Sequence, residues 1–375
     1  MRFLIIAGEA SGDIHGSGVV RELMARNNSN TIYGIGGDAM KREGMMLLHH
    51  VKELSVMGFL EVVKHLQQIH KIEKNLLHFL QKKKTDAVLL IDYPGFNLRF
   101  AQKAKKMGVK VFYYISPQVW AWKRGRLKTM QQFVDKMFVV FPFEQLIYEQ
   151  ANIPVTFVGH PLLEEIAEQP EKNDFFNTNA LSLKKKTVGL FPGSRVQEIE
   201  KIFPTMVAAG LMLQEKYNIQ CAVGVAPTLE SSFLRQIDGR SKNFIFIENQ
   251  SHALMKHSDV AIVTSGTATL ETAIFETPML IVYKTSFVTY AIGKLLVNIK
   301  NIGLVNIVAE KEIVREFIQN EATSENVYAE ATELLHNKKR CDEMKNELAQ
   351  LKEKLGKSGA SRKVADEMLN MLNMQ

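Results

Sequence analysis

Short apolar runs alternate with amphipathic stretches along the first 160 residues of the chain. The runs occur at 4–7, 31–35, 87–91, 109–115, 137–141 and 155–158. Helical patterns lie between several of them, the longest over 61–83. Continuous apolar runs separated by helices are typical of parallel strands that are covered on both faces. The pattern therefore predicts a parallel α/β sheet.

The same alternation stops after Pro161 and starts again near residue 187. The stretch 164–186 is polar, and further apolar runs follow at 188–191, 220–225, 244–247, 260–263 and 279–282. Two similar halves indicate two Rossmann-like domains whose parallel sheets face an interdomain cleft. The predicted divisions are a first domain over 1–165, a linker over 166–186, a second domain over 187–345 and terminal helices over 346–375.

Composition narrows the class of protein. Of the 375 residues, 46% are hydrophobic and 23% are charged, which excludes a disordered chain. The two cysteines exclude a disulfide framework and a Cys-rich zinc module. No apolar run approaches the roughly 18 residues of a membrane span, and the run at 3–7 is too short for a signal peptide. We therefore expect a cytoplasmic protein.

The net charge of +7 allows two interpretations. One is an ordinary solvated surface, and the other is a partner that carries negative charge. No RNA- or DNA-binding module is recognisable, so we expect no nucleic-acid partner.

A glycine-rich turn, Gly8 to Asp13, directly follows the first predicted strand. Such a turn lets a ligand approach the start of a helix. Carboxylates at Glu9 and Asp13 would repel a phosphate but suit the hydroxyl groups of a sugar, with Ser11 beside them. The alternative is that Ser11 or Asp13 only caps the helix.

The segment Asp92 to Asn97 follows a buried strand, where open α/β sheets bind ligands. Burial raises the pKa of an acid, which makes Asp92 a candidate base or substrate-holding residue. The alternative is a simple turn made by Pro94 and Gly95.

Both tryptophans of the chain, Trp120 and Trp122, lie in the segment 116–123, and Arg124 follows them. Aromatic rings beside cations suit a lipid–water interface or a sugar phosphate. Packing of the two rings in the core is the alternative.

Two turns of the second half have the chemistry of a nucleotide-sugar site. Gly193, Ser194 and Arg195 follow a strand and open a helix that contains Glu198, which suits a diphosphate without a metal ion. In the next turn Ser265, Gly266 and Thr267 admit a close ligand, and Glu271 can accept hydrogen bonds from ribose hydroxyls.

Metal and cofactor sites are not expected. The chain has no D-x-D, no H-E-x-x-H and no cysteine pair, so we predict no metal and no cofactor. The G-x-G-x-x-A match at 34–39 would fit an NAD oxidoreductase, but a tight turn explains it better.

Taken in order, these motifs resemble those of the lipid-A-disaccharide synthases, a family of GT-B glycosyltransferases. The resemblance rests on segments 8–13, 91–97, 116–122, 158–161, 192–195 and 265–271, and it spans about residues 1–320. One departure is Gly95, where many members carry an aspartate. The role of base would then fall to Asp92, Asp13 or Glu9.

The resemblance implies an inverting transfer from UDP-2,3-diacylglucosamine to 2,3-diacylglucosamine 1-phosphate, known as lipid X, in lipid A biosynthesis. Asn306 and Gln319 would add donor contacts, while Ser11, Asn97, Trp120, Trp122 and Arg124 would serve the acceptor or membrane side. A UDP-sugar 2-epimerase or a peptidoglycan-precursor glycosyltransferase of the same fold is the alternative.

Acylated substrates imply peripheral contact with the inner membrane, for which the apolar segment 56–66 is a candidate and a core-facing helix the alternative. The terminal helices are expected to pack back on the first domain, and pairing with another subunit in a homodimer is the alternative.

Overall fold

The computed structural model describes residues 1–54, 62–166, 168–286 and 301–374 of the chain. The chain forms two compact units. The first consists of Met1–Glu165 together with Leu355–Gln375, and the second is Ile166–Lys354.

The first unit is built on seven parallel strands. They are β1 (Arg2–Ala7), β2 (Thr31–Gly36), β3 (Met46–His50), β4 (Ala87–Ile91), β5 (Lys110–Tyr114), β6 (Lys136–Val139) and β7 (Val155–Phe157). Their order in the sheet is β3-β2-β1-β4-β5-β6-β7. The chain thus extends the sheet in one direction from β1 to β3 and in the other from β4 to β7, so that β1 and β4 lie at the point where the direction reverses.

Helices cover both faces of this sheet, which explains why the strands are apolar without alternation. Every residue of β4 is fully buried, as are Phe3 to Ala7 of β1. The helices are α1 (Ala10–Arg26), α2 (Asp38–Arg42), α3 (Val62–Lys83), α4 (Pro94–Lys106), α5 (Arg126–Phe133), α6 (Pro142–Gln150) and α7 (Leu162–Glu165).

The second unit repeats the plan with six parallel strands. They are β8 (Lys186–Phe191), β9 (Ile219–Val225), β10 (Ile245–Glu248), β11 (Val260–Thr264), β12 (Met279–Tyr283) and β13 (Glu316–Ile318). The sheet order is β10-β9-β8-β11-β12-β13, which places the reversal between β8 and β11. The prediction of two parallel, Rossmann-like halves is therefore confirmed.

The helices of the second unit flank this sheet. They are α8 (Lys172–Thr178), α9 (Val196–Lys216), α10 (Ser231–Ile237), α11 (Ser251–His257), α12 (Thr267–Ile274), α13 (Leu304–Ala309), α14 (Ser324–His336) and α15 (Lys338–Lys354). The stretch predicted as a linker, 166–186, contains α8, whose Phe175 and Phe176 are buried beside the His257 ring. These residues are part of the core of the second unit.

The last helix, α16 (Ala360–Asn373), returns to the first unit and packs against α1. Arg26 of α1 donates a hydrogen bond to Asp366 at 2.6 Å. At the start of α16, a carboxylate oxygen of Glu164 accepts hydrogen bonds from the amides of Gly359 and Ser361, at 2.8 and 2.9 Å. Charged side chains therefore fix both ends of this contact.

The predicted membrane-contact segment lies at the start of α3. Residues 56–61 fall outside the described residues, and 62–66 form the first turn of that helix. Among the helices that the structure describes, none is both long and apolar enough to cross a membrane.

Candidate active site

The reversal between β1 and β4 brings two carboxylates to one edge of the first sheet. Ala7 of β1 lies opposite Ile91 of β4, and Glu9 and Asp92 follow these two residues. Open α/β sheets bind ligands at this carboxyl-terminal edge, outside the point of reversal.

Asp92 has an unusual backbone conformation. Its φ is 45°, and that of Tyr93 is 46°, so two successive non-glycine residues are left-handed. Such residues cost about 1–3 kcal/mol each and persist where the surroundings hold them. Here the carbonyl oxygen of Asp92 accepts hydrogen bonds from the Tyr113 hydroxyl at 2.6 Å and from the Asn97 amide at 2.7 Å.

The carboxyl group of Asp92 titrates close to neutrality. Burial raises its pKa to about 6, and the nearby charge of Glu9 adds to the increase. The backbone N–H of Tyr93 and the charges of His15 and Arg126 act in the opposite direction. A base with a pKa near the working pH is well matched to proton abstraction.

Asn97 lies behind Asp92. It is fully buried, and its amide nitrogen also donates to the carbonyl of Ile91 at 3.1 Å. Asn97 was predicted on the acceptor side, but its amide group is used to hold the turn.

Asp13 requires a correction. It is 7% exposed, and its carboxylate accepts backbone hydrogen bonds from Gly37 at 2.6 Å and from Ala39 and Met40 at 3.0 Å. These bonds fix the turn from β2 into α2. The prediction of Asp13 as an alternative base is therefore wrong, because its oxygens are committed to the fold.

The other polar residues of the first turn remain open to solvent. Glu9 is the N-cap residue of α1, but its side chain makes no capping hydrogen bond. Glu9 and Ser11 are both exposed. The proposal that Ser11 or Asp13 caps α1 is not supported, and both Glu9 and Ser11 stay available to a ligand.

The tryptophan-bearing segment starts from a buried polar anchor. The Ser116 hydroxyl donates to Glu144 at 2.5 Å, and Glu144 is only 2% exposed. Burial raises the pKa of Glu144 to about 7. Trp120 packs edge-on against Phe143, with 5.6 Å between ring centres, so packing accounts for this tryptophan.

Trp122 lies in a different environment from Trp120. The Nζ atom of Lys123 lies 4.3 Å from the centre of a Trp122 ring, and the guanidinium carbon of Arg126 lies 5.2 Å from it. Arg124 is exposed beside them. The segment thus presents an aromatic ring with cations to solvent.

In the second unit, the turns after β8 and β11 lie against each other. Gly193 has a φ of 97°, and a Cβ atom at this position would lie 2.9 Å from Cγ2 of Thr264. Ser194 and Arg195 follow, and α9 begins at Val196. Arg195 is 79% exposed and contacts Glu198 at 3.1 Å. The guanidinium group can therefore reach a ligand at the start of α9.

A side-chain hydrogen bond fixes the turn after β11. The Ser265 hydroxyl donates to the carbonyl of Ile302 at 3.0 Å, so this side chain supports the loop. Gly266 has a φ of 147°, and Thr267 begins α12. Glu271 lies one turn into α12, and its carboxylate is 3.5 Å from the His252 ring.

Asn306 and Gln319, which were predicted to contact the donor, form hydrogen bonds with other residues of the protein. Asn306 is fully buried, accepts from the amides of Ile313 and Val314 at 2.9 and 3.0 Å, and donates to Glu316 at 2.8 Å. The Asn306 side chain, on α13, therefore holds the segment that follows this helix rather than facing a ligand. Gln319 accepts from the Thr285 amide at 2.8 Å, beyond the end of β12.

Sequence reasoning missed Tyr113 and Glu144. Tyr113 is a buried strand residue next to Tyr114, and a polar hydroxyl inside an apolar run was the available signal. Glu144 stands three residues after Phe141, which is the spacing of a capping box. Within the described ranges, no group of three or more His, Cys, Asp or Glu residues could hold a metal ion.

Solved structures with the same fold include an epimerase and MurG. The UDP-GlcNAc 2-epimerase of Neisseria meningitidis, bound to UDP-GlcNAc, matches with a TM-score of 0.67 and 14% identity over 99% of this chain and all of that one. MurG of Acinetobacter baumannii matches with a TM-score of 0.59 and 11% identity over 98% and 99%. At such low identities these matches show the GT-B fold alone.

Comparisons of sequence identify the family more specifically than the fold does. The family model described as lipid-A-disaccharide synthetase matches residues 3–369. The lipid-A-disaccharide synthase of Geobacter sulfurreducens is 40% identical over 100% of this chain and 98% of that protein. That of Coxiella burnetii is 36% identical over 98% of each. The chain therefore belongs to the lipid-A-disaccharide synthase family.

Proposed function

We propose that this protein is an inverting glycosyltransferase that transfers diacylglucosamine from UDP-2,3-diacylglucosamine to 2,3-diacylglucosamine 1-phosphate. The products are the β-1,6-linked lipid A disaccharide 1-phosphate and UDP. The observation that carries the proposal is Asp92, a carboxylate with a pKa near 6 at the reversal of the first sheet, in a chain of this family.

Asp92 acts as the base in this mechanism. As the 6-hydroxyl oxygen of the acceptor attacks the anomeric carbon of the donor, its proton passes to the Asp92 carboxylate. The bond from the anomeric carbon to the UDP oxygen breaks with its electron pair, and a single displacement inverts the α-linked donor into a β-linked product. Glu9 is the second candidate, because its carboxylate is exposed at the same edge.

Arg195 stabilises the leaving group. The departing UDP gains negative charge on its diphosphate, which the guanidinium of Arg195, the Ser194 hydroxyl and the start of α9 are positioned to receive. Gly193 and Gly266 let the ligand approach the backbone closely. Glu271 accepts hydrogen bonds from the ribose hydroxyls.

Acyl chains on both substrates require contact with a bilayer surface. We assign the protein to the cytoplasmic face of the inner membrane as a peripheral enzyme. The half-buried Trp122 with its neighbouring cations is one described feature that suits an anionic, lipid-bearing substrate.

The test supplies purified protein with both substrates in detergent and excess EDTA. We expect UDP release coupled one-to-one to formation of the disaccharide, and no UDP release when the acceptor is omitted. UDP release without acceptor would indicate a hydrolase or an epimerase-like enzyme instead. A folded protein that releases no UDP would contradict the proposed substrate pair.

A further inference from the structure

We propose that Trp122, Lys123 and Arg126 form the site that binds the phosphate group of the acceptor. This inference rests on the proposed function, because it identifies which part of the first unit recognises the phosphorylated sugar. It assigns a ligand, a phosphomonoester on a sugar, to residues that neither accept the proton nor contact the leaving group in the proposed mechanism.

The three side chains form one cluster. Lys123 lies 4.3 Å and Arg126 5.2 Å from the Trp122 ring centre, so a single aromatic ring holds two cations. A cation over an indole face is attracted by the ring, which orders the long side chain. Both positive groups therefore lie beside one ring, from which they can reach a single dianionic phosphate.

Neither cation of the cluster is in direct contact with a carboxylate among the described residues. Over 1–54, 62–166, 168–286 and 301–374, neither Lys123 nor Arg126 forms an ion pair with a carboxylate, whereas Arg26 and Arg240 both do. Helix α5 begins at Arg126 and has no acid in its first turn. Cations at this end of a helix oppose its dipole. A bound anion would therefore offset positive charge that this end of the helix disfavours.

The topology places this cluster near Asp92. Strands β4 and β5 are neighbours, with Ile91 opposite Tyr114, so the segments 92–97 and 115–126 leave the same edge of the sheet. Burial raises the pKa of Asp92, and the charge of Arg126 is among those that oppose this increase. Glu9 and His15 are the other charged groups that act on Asp92.

The acceptor carries both groups that these two sites would bind. Its nucleophilic 6-hydroxyl and its 1-phosphate are substituents of one pyranose ring, so the base and the phosphate site must lie about one sugar apart. The Arg126 guanidinium can donate two parallel hydrogen bonds to phosphate, and Lys123 can add a point charge. The Ser116–Glu144 hydrogen bond and the Trp120–Phe143 contact fix the start of the segment before the ligand binds.

The experiment compares two acceptors, 2,3-diacylglucosamine with and without its 1-phosphate, in neutral detergent micelles. Wild type should prefer the phosphorylated acceptor by at least about tenfold in kcat/KM. Arg126→Gln and Lys123→Gln should each raise the KM for this acceptor by about tenfold to a hundredfold. In Lys123→Gln, turnover of the unphosphorylated acceptor and the KM for the donor should not change.

Matched variants separate phosphate binding from general effects. Lys128→Gln removes the same charge from an exposed position of α5 and should leave the preference intact. Arg126→Lys keeps the charge but loses the paired donors, so it should fall between wild type and Arg126→Gln. Thermal melts identify any variant that fails to fold.

Three results would overturn the inference. The first is an equal loss of kcat/KM with both acceptors in the two variants. The second is an unchanged preference in Arg126→Gln and Lys123→Gln. The third is that these variants keep the preference for the phosphorylated acceptor but no longer bind phosphatidylglycerol vesicles. That result would assign the cluster to the bilayer surface. If wild type transfers to neither acceptor, the proposed function itself fails.

Discussion

The hydroxyl of Tyr113 donates a hydrogen bond to the carbonyl oxygen of Asp92 at 2.6 Å. Tyr113 is fully buried in β5, and Asp92 is left-handed at the end of the neighbouring strand. The bond crosses from one strand to the turn of the next and fixes the peptide unit from which the carboxylate projects. Tyr113 is therefore a positioning residue for the proposed base.

Replacing Tyr113 with Phe removes only this oxygen. We expect kcat to fall about tenfold with the KM of the donor unchanged, because small misplacements of a reacting group are costly. Stability should fall by about 1 kcal/mol. Tyr33→Phe is the control, since that tyrosine bonds Thr85 instead. Equal kcat values in the two variants would remove Tyr113 from the mechanism.

Asp92→Asn should abolish turnover and yet stabilise the protein at neutral pH. Burial and Glu9 raise the pKa of Asp92 to about 6, so the folded state holds this proton more tightly than the unfolded chain does. The stability contributed by the protonated group is complete below the unfolded pKa and is lost as the pH rises through about 6. Asparagine does not ionise, so the variant does not lose this stability as the pH rises.

Denaturant unfolding of wild type and Asp92→Asn at pH 4 and pH 7.5 measures this effect. The variant should be about 2 kcal/mol more stable at the higher pH, with a smaller difference at the lower one. Wild-type turnover should rise with pH through about 6 and then level off. A variant that is less stable than wild type at both pH values would contradict the raised pKa.

Arg195→Ala should lower kcat by about a hundredfold or more, because a charge that stabilises the leaving group acts mainly in the transition state. The side chain is 79% exposed, so the melting temperature should hardly change. UDP affinity, measured by calorimetry, should fall as well. Lys201→Ala removes an exposed charge from the same helix and serves as the control. Near wild-type turnover would refute the role in departure of UDP.

Asp13→Asn should affect the fold rather than the chemistry. It weakens three charge-assisted hydrogen bonds from the amides of Gly37, Ala39 and Met40. We expect a loss of about 2–3 kcal/mol in the free energy of unfolding, with kcat per folded molecule retained. A large fall in kcat without a loss of stability would return Asp13 to the list of candidate bases.

The sheets could be predicted because their central strands are buried on both faces, which leaves no polar positions in the sequence. Strand β3 was missed because its residues are exposed or half-buried, and β13 because it is short and begins with the charged Glu316. Asp92 could be identified because a single acid at the end of an apolar strand has few structural reasons to be there.

Hydrogen-bond partners distant in sequence could not be predicted. The glycine-rich turn at 8–13 suggested two available carboxylates, but Asp13 bonds to amides 24 to 27 residues later. Asn97 and Asn306 looked like ligand contacts because of their residue type and position. Only the structure shows that backbone groups occupy their amides.

The first unit is formed by two separate stretches of the chain, and this affects when it can complete its folding during synthesis. A ribosome releases the chain in order, so Leu355–Gln375 emerges after the whole of Ile166–Lys354. At bacterial rates of about 5–20 residues per second, the first sheet waits roughly 10–40 s for its last helix. During that interval, α1 lacks the cover that Val364, Ala365 and Met368 later supply. The newly made protein thus exposes apolar surface to chaperones until Leu355–Gln375 has been made.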